Sequence, residues 1–257
     1  MDNYVKRNRA APAGFFACEA VGLRWLAAAE SGVLTVPVVD HDAASLTLQR
    51  LDVAEPDLMS AYEFGRGLAR THAAGAEAFG APPGGWTGPG FFGPMAKPLP
   101  MSLSGHARWG SFYADERLAP MAELAGARLD DGLRGALATV MKRCRRGDFD
   151  DDDTPARLHG DLWSGNVVWT RRGAVLIDPA AHGGHRETDL ANLALFGCPF
   201  LESVIAGYQS QRPLRAGWRQ RIGLHQLYPL LAHVVLFGTS YLRSTSTAVS
   251  SAFALQA

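Results

Sequence analysis

The stretch Leu158-His159-Gly160-Asp161-Leu162-Trp163-Ser164-Gly165-Asn166, followed by Ile177-Asp178-Pro179, decides how this 257-residue chain is read. An aspartate with an asparagine five positions on has the spacing of a phosphoryl-transfer catalytic loop. In such a loop the aspartate takes or orients the acceptor hydroxyl proton and the asparagine holds a magnesium ion. A second aspartate must arrive from elsewhere to hold metal at the phosphates. Val167-Val168-Trp169 and Ala174-Val175-Leu176-Ile177 read as two short strands joined by the polar turn Thr170-Arg171-Arg172-Gly173, a hairpin that returns the chain to the loop. Asp161, Asn166 and Asp178 then surround one oxygen-lined pocket, which suits magnesium, a hard ion bound through one or two carboxylates and phosphate oxygens. His-Gly-Asp alone is weak, because Asp and Asn stabilise many ordinary turns. The hairpin and its terminal Ile-Asp-Pro are what mark a catalytic loop.

The chain resembles the fructosamine kinase family, within the larger group of aminoglycoside- and choline-kinase-like enzymes. His159 to Asn166 is similar to the family's most specific signature. Asp178-Pro179-Ala180, Gly184-His185-Arg186-Glu187-Thr188-Asp189-Leu190-Ala191 and Leu195-Phe196-Gly197 continue it in order. Upstream, Tyr4-Val5-Lys6 and Glu19 to Leu26 resemble the family's strand lysine and helix glutamate, so the resemblance covers nearly the whole chain. It implies a protein-kinase-like α+β fold with two lobes: residues 1–51 as a small nucleotide-binding lobe ending in the hinge, and residues 52–257 as a mainly helical large lobe. It also implies ATP as phosphoryl donor, Mg2+ as cofactor and a ketosamine, the adduct of a sugar with an amine, as acceptor. Lys6, paired with Glu19, would steady the phosphates, and Gln49-Arg50-Leu51 would be the hinge that meets the adenine edge. Without the resemblance, Lys6 and Glu19 are simply two charges thirteen residues apart.

Composition agrees with a folded small-molecule enzyme. The 25 basic and 25 acidic residues cancel, so no polyanion-binding surface of the kind nucleic acid demands is indicated. Cys18, Cys144 and Cys198 form no C-x-x-C pair, which points away from zinc and from a disulfide framework and toward reduced thiols in the cytoplasm. The start, Met1 to Arg7, has no apolar segment of the kind a signal peptide needs. Leu224 to Leu242 is apolar but contains His225, Gln226, Tyr228, Pro229 and His233, which would be costly in lipid. It reads as a buried helix of the large lobe, and no membrane partner is expected.

Phe16, Ala20, Leu23 and Leu26 recur at helical spacing and predict a helix over residues 15–29 that carries Glu19. Val36 to Val39 and Ser45 to Gln49 read as strands around the turn Asp40-His41-Asp42, and Leu58 to Ala78 as a long helix. Helices resume at Trp109 to Leu118, Leu129 to Cys144 and Glu187 to Phe196. Ala81 to Gly105 is crowded with Pro and Gly and reads either as a connector or as a substrate-side loop. The run Asp148 to Pro155 reads as a solvated loop, since it lacks the Gly and terminal Glu of a calcium loop.

His159, by resemblance, braces the catalytic loop rather than moving a proton. Asp189 either accepts hydrogen bonds from that loop's backbone or is an ordinary first-turn acid favoured by the helix dipole. Trp163 either walls the acceptor site, through stacking or a cation–π contact, or anchors the core. His182 and Gly183 stand where the family more often has aromatic residues, which makes His182 a candidate on the substrate side and leaves the acceptor open. Two rival functions follow: an aminoglycoside- or choline-like amino-alcohol kinase, because fold does not fix substrate, and a catalytically silent ligand-binding homologue. The second draws on the N-terminus: only five residues precede Lys6, whereas a glycine-containing hairpin over the phosphates needs on the order of ten. The expectation is therefore a truncated small lobe without the glycine-rich loop, weak ATP affinity and an exposed strand edge. Oligomeric state is left open.

Overall fold

Exposure along strand β1 (Asn3–Arg7) turns only Lys6 inward. The strand pairs antiparallel with β4 (Ser45–Gln49), and β4 pairs with β3 (Val38–His41), so β1 forms one edge of a three-stranded sheet. Helix α1 (Phe15–Ala27) packs across the sheet and buries Phe16, Leu23 and Leu26, each worth about 1.5–3 kcal/mol of transfer free energy. Strand β2 (Leu34–Thr35) leaves this sheet and runs parallel to β9 (Gly173–Leu176), which pairs with β8 (Val167–Thr170). The catalytic hairpin thus carries a strand of the small lobe on its edge. The computed structural model describes residues 2–256; residues 1 and 257, the outer bounds of the two expected lobes, lie outside the described residues.

The expected strand at Val36 starts two residues later, at Val38, and runs on to His41. The Val36 N–H is drawn to the Leu176 carbonyl (3.0 Å), Pro37 has no N–H to offer a ladder, and the turn closes at Asp42, whose carboxylate accepts from the Ala44 N–H (2.7 Å).

Helix α2 (Leu58–Ala73) opens on a capping box: Asp57 accepts from the Ser60 N–H (2.7 Å) while the Ser60 hydroxyl accepts from the Asp57 N–H (2.9 Å). It stops short of Ala78, because the chain turns left-handed at Gly75 and the Ala76 N–H goes to the Pro155 carbonyl. The Pro/Gly-rich stretch that follows folds into a hairpin of β5 (Gly90–Phe92) and β6 (Leu99–Met101). The expected helix at Trp109 is α3 (Trp109–Phe112), a π-helical segment over Tyr113–Leu118, and α4 (Ala119–Ala125) in succession. After α5 (Asp131–Arg146), β7 (Ala156–Leu158) and β10 (His182–Gly184) pair antiparallel on either side of the catalytic segment in sequence. Helices α6 (Glu187–Leu195), α7 (Leu201–Gln211), α8 (Trp218–Phe237) and α9 (Leu242–Ala254) complete the large lobe.

Residues 218–254 are long and apolar enough to cross a membrane by length and composition. In the fold, Leu224, Leu227, Leu231 and Val234 of α8 are fully buried, the helix packs against α4, α6 and α9, and a 3₁₀ turn at Gly238 separates α8 from α9. The stretch is a core element, as its polar residues suggested.

The acidic run is not merely solvated. Asp153 accepts from Arg186 (2.6 Å) and Arg212 (2.9 Å), and Asp151 faces His185 at 3.2 Å. Burial alone would push the Asp151 carboxyl up, yet the hydrogen bond and charge of His185 hold it well below the carboxylate range. The run clamps the start of α6, which positions the catalytic loop.

Candidate active site

Strand β7 delivers Leu158 into the core, and the chain then turns at Gly160 (φ 83°), where a Cβ would strike the Ala180 carbonyl. Asp189, fully buried on α6, accepts from the backbone N–H of His159 (2.8 Å) and of Gly160 (3.0 Å). His72 meets the same carboxylate at 3.2 Å and the Tyr208 hydroxyl at 2.9 Å. Burial pushes the Asp189 carboxyl up, but His72 and the loop amides outweigh it and hold the pKa below the ordinary value. Of its two sequence readings, the geometry selects the loop support. His159 braces the other side: its Nε2 lies 2.8 Å from the Ile177 carbonyl, and its Nδ1 accepts from the Asp161 N–H (3.2 Å). Those partners select the Nε2–H tautomer, and burial lowers the ring's pKa below the ordinary histidine value.

The loop and hairpin bring the acidic groups together. The Asn166 Nδ2 donates to the Asp161 carbonyl (2.7 Å) and approaches its Oδ2 (3.4 Å), while the Asn166 carbonyl accepts from the Ile177 N–H (3.1 Å). Asp178 sits at φ 54°, a left-handed backbone that Asp tolerates better than most residues. Lys6 reaches in from β1, donating to both oxygens of Glu19 (2.7 and 2.8 Å) and standing 3.1 Å from Asp178 Oδ1. Burial would strip its proton, but the charges of Glu19 and Asp178 prevail and hold the pKa above the ordinary lysine value. Removing one partner of such a buried pair costs about 3–5 kcal/mol.

A cavity of 310 Å³ opens onto Lys6, Glu19, Asp161, Asn166, Asp178 and Trp163. Its far wall comes from the β5–β6 hairpin, through Phe91 and Met95, and from the last turns of α8, through His233, Leu236 and Phe237. The Trp163 ring is 39% exposed on this side and meets Phe196 edge-on at 6.0 Å, so it is a wall residue more than a core anchor. Sequence reading missed the α8 residues. It had singled out the hairpin stretch by its Pro/Gly content, as a connector or a substrate-side loop.

Gln49, Arg50 and Leu51 line a second cavity, of 340 Å³, with Tyr4, Val36, Val168 and Ile177; Asp178 borders both cavities. His182 reaches neither. Its ring is buried beside Phe112 (5.9 Å), and its Nδ1 is 2.8 Å from the Ala180 carbonyl. Burial, helped by the nearby charge of Arg117, pushes its pKa down to about 3. As a substrate-side candidate it is corrected: in place of the expected contact it packs behind the catalytic loop.

Magnesium fits the donor set. The Asn166 side-chain amide points its nitrogen at Asp161, which leaves its side-chain oxygen for a metal ion in the cavity that the half-exposed Asp178 carboxylate also lines. Oxygen-only ligands suit a hard divalent cation.

Known proteins resemble this chain in sequence and in fold. A family model described as fructosamine kinase matches residues 1–254. A probable ketoamine kinase of Synechocystis sp. is 35% identical over 242 residues, covering 93% of this chain and 78% of the relative. A crystal structure named as a "putative fructosamine-3-kinase" from Thermobifida fusca superposes with a TM-score of 0.90 at 42% identity, over 98% of this chain and 86% of that one. The aminoglycoside phosphotransferase APH(2")-IIa, in its gentamicin complex, shares the fold alone, at a TM-score of 0.60 and 14% identity. The two-lobed kinase-like architecture, the catalytic hairpin and these matches agree: the chain belongs to the fructosamine kinase family and is a phosphotransferase acting on a hydroxyl group of a sugar amine.

Proposed function

We propose that the cleft transfers the γ-phosphoryl group of ATP to a hydroxyl of a ketosamine of the fructosamine or ribulosamine type. The observation that carries this reading is the convergence of Asp161, Asn166, Asp178 and the Glu19-held Lys6 on one cavity whose opposite wall is aromatic. ATP lies with its base in the hinge cavity and its phosphates toward Asp178 and Lys6. The Gln49 and Arg50 N–H groups already donate to the Pro37 and Asp2 carbonyls, so Leu51 is the hinge residue with an amide left for the adenine edge. Asn166 and Asp178 would hold magnesium, which when bound would supply positive charge to offset that of the phosphates.

Asp161 accepts the proton of the acceptor hydroxyl as its oxygen bonds to the γ-phosphorus. The bond from that phosphorus to the β,γ-bridging oxygen breaks, and ADP leaves. Lys6 offsets charge on the phosphates. Trp163 and the aromatic wall receive the sugar and its substituted amine, by stacking and cation–π attraction. The preference for a ketosamine over a polycationic aminoglycoside rests on the fructosamine kinase family match over residues 1–254.

The test is a panel of ketosamines, aminoglycosides and choline assayed by ADP release with ATP and magnesium. Ketosamines should have the highest kcat/KM. A comparable value for an aminoglycoside would move the protein to the amino-alcohol kinase reading.

Activity should also titrate. Burial, then the charge of Asp178, raises the Asp161 pKa to about 7. The ionised form is the proton acceptor, so kcat/KM should decline as pH falls through that value, approaching about tenfold per unit below it. A cation beside Asp178 cancels the second cause, so with saturating magnesium and ATP the kcat limb should lie at lower pH. A kcat/KM that stays flat down to about pH 5 would contradict the role of Asp161.

A further inference from the structure

Glu19 lies well before the C-terminal end of α1, and that end is held by an arginine of the large lobe. Arg157, on β7, donates from Nη1 to the Trp25 carbonyl (2.6 Å), from Nε to Gly75 (3.4 Å) and from Nη2 to Ala74 (3.4 Å). Its guanidinium lies 4.6 Å over the Trp25 ring. Trp25 belongs to the last turn of α1, and Ala74 and Gly75 follow the last turn of α2. One cation therefore meets the carbonyl ends of two helices, where the backbone dipoles favour positive charge. Burial alone shifts its pKa, downward, and no carboxylate pairs with it among the described residues.

Between Glu19 and Trp25, α1 rests directly on the chain that follows Asp178. A Cβ on Gly22 would stand 3.1 Å from the Ala181 Cβ and 3.5 Å from the Pro179 ring. Glu19 and Trp25 are about 9 Å apart along the helix axis at 1.5 Å per residue, on either side of this contact. Thr35 braces the middle, its hydroxyl donating to the Leu23 carbonyl (3.3 Å).

We propose that Arg157 is a positioning residue for the nucleotide: it pins the far end of α1 over the Gly22 contact and so keeps Glu19 on Lys6. In kinases whose glutamate helix can swing away, the lysine loses its partner; here one side chain, two residues before His159, ties that helix to the strand that delivers the catalytic loop. The inference rests on the reading of Lys6 as the residue that holds the phosphates of ATP.

The experiment measures magnesium-ATP affinity by calorimetry, together with kcat and both KM values, for wild type, Arg157→Met, Arg157→Lys, Glu19→Gln and the Arg157→Met/Glu19→Gln double variant. Arg157→Met should weaken ATP binding and raise its KM about fivefold, leaving the acceptor KM unchanged. Arg157→Lys should recover part of the loss. Added to Glu19→Gln, the methionine should cost little more, because both changes act through one lysine. A residue that only stabilises the fold would lower the melting temperature without changing ATP affinity per folded molecule, or would give additive losses in the double variant; either result overturns the proposal. If wild type itself binds no ATP, the functional reading fails and the inference with it, whereas wild-type binding with unchanged affinity in Arg157→Met sinks the inference alone.

Discussion

Asp161→Asn should lower turnover by about 10²- to 10⁴-fold, the range of a positioned general base, while the protein folds and binds ATP nearly as before. Asparagine keeps the volume and leaves the Asp161 carbonyl in place for the Asn166 amide, but it cannot take the hydroxyl proton. Stability should not fall. A carboxyl whose folded pKa is raised to about 7 binds its proton more tightly folded than unfolded. Its effect on stability therefore becomes less favourable as pH rises from the unfolded value toward 7 and is fully adverse above it. At pH 8 the substitution removes a charge that burial and Asp178 both oppose. Thermal melts and initial rates on the same preparation check this, and turnover near the wild-type level would remove Asp161 from the chemistry.

Asp178→Asn and Asp189→Ala should fail in opposite ways. Asp178 is half-exposed at the cavity and held at a left-handed backbone that asparagine also accepts, so the variant should fold. It should lose magnesium-dependent ATP binding, since a charged oxygen ligand becomes neutral. Asp189 is fully buried and lines neither of the two cavities. Its removal strands the His159 and Gly160 amides and the His72 ring in the interior, a loss of about 3–5 kcal/mol out of a typical total of about 5–15 kcal/mol. Magnesium titrations of ATP binding, normalised to folded protein by circular dichroism, separate the two. Equal metal dependence in wild type and Asp178→Asn would defeat the metal assignment.

How far such residues are legible in a sequence depends on how local their cause is. The β8–β9 hairpin was legible because two short apolar runs rich in β-branched residues flank a four-residue polar turn, Thr170 to Gly173, and its register closes on that turn. The support from Asp189 was readable only as one of two options, since first-turn acids are common. Lys6 and Glu19 needed the family resemblance, because nothing in a thirteen-residue gap says that a strand and a helix will face each other. The pairing of β2 with β9 was invisible: a two-residue strand finds a parallel partner some 140 residues away. The acidic run misled because counting charges does not reveal partners, and Asp151 and Asp153 find theirs in residues 185–215. His182 misled for a related reason, since a change of residue type beside a catalytic motif does not say which way the side chain points. The cavity wall on α8 was hidden inside a correctly read core helix, as periodicity shows which face is buried and not which end meets a cleft.

The central claim is that these residues form a working phosphoryl-transfer site for a sugar amine, and the most direct measurement is phosphorus NMR of the reaction with ATP, magnesium and a fructosamine acceptor. The account predicts a new phosphomonoester resonance that grows in step with ADP, requires both magnesium and acceptor, and disappears in Asp161→Asn; release of inorganic phosphate alone, or a phosphomonoester formed equally well by Asp161→Asn, would contradict it.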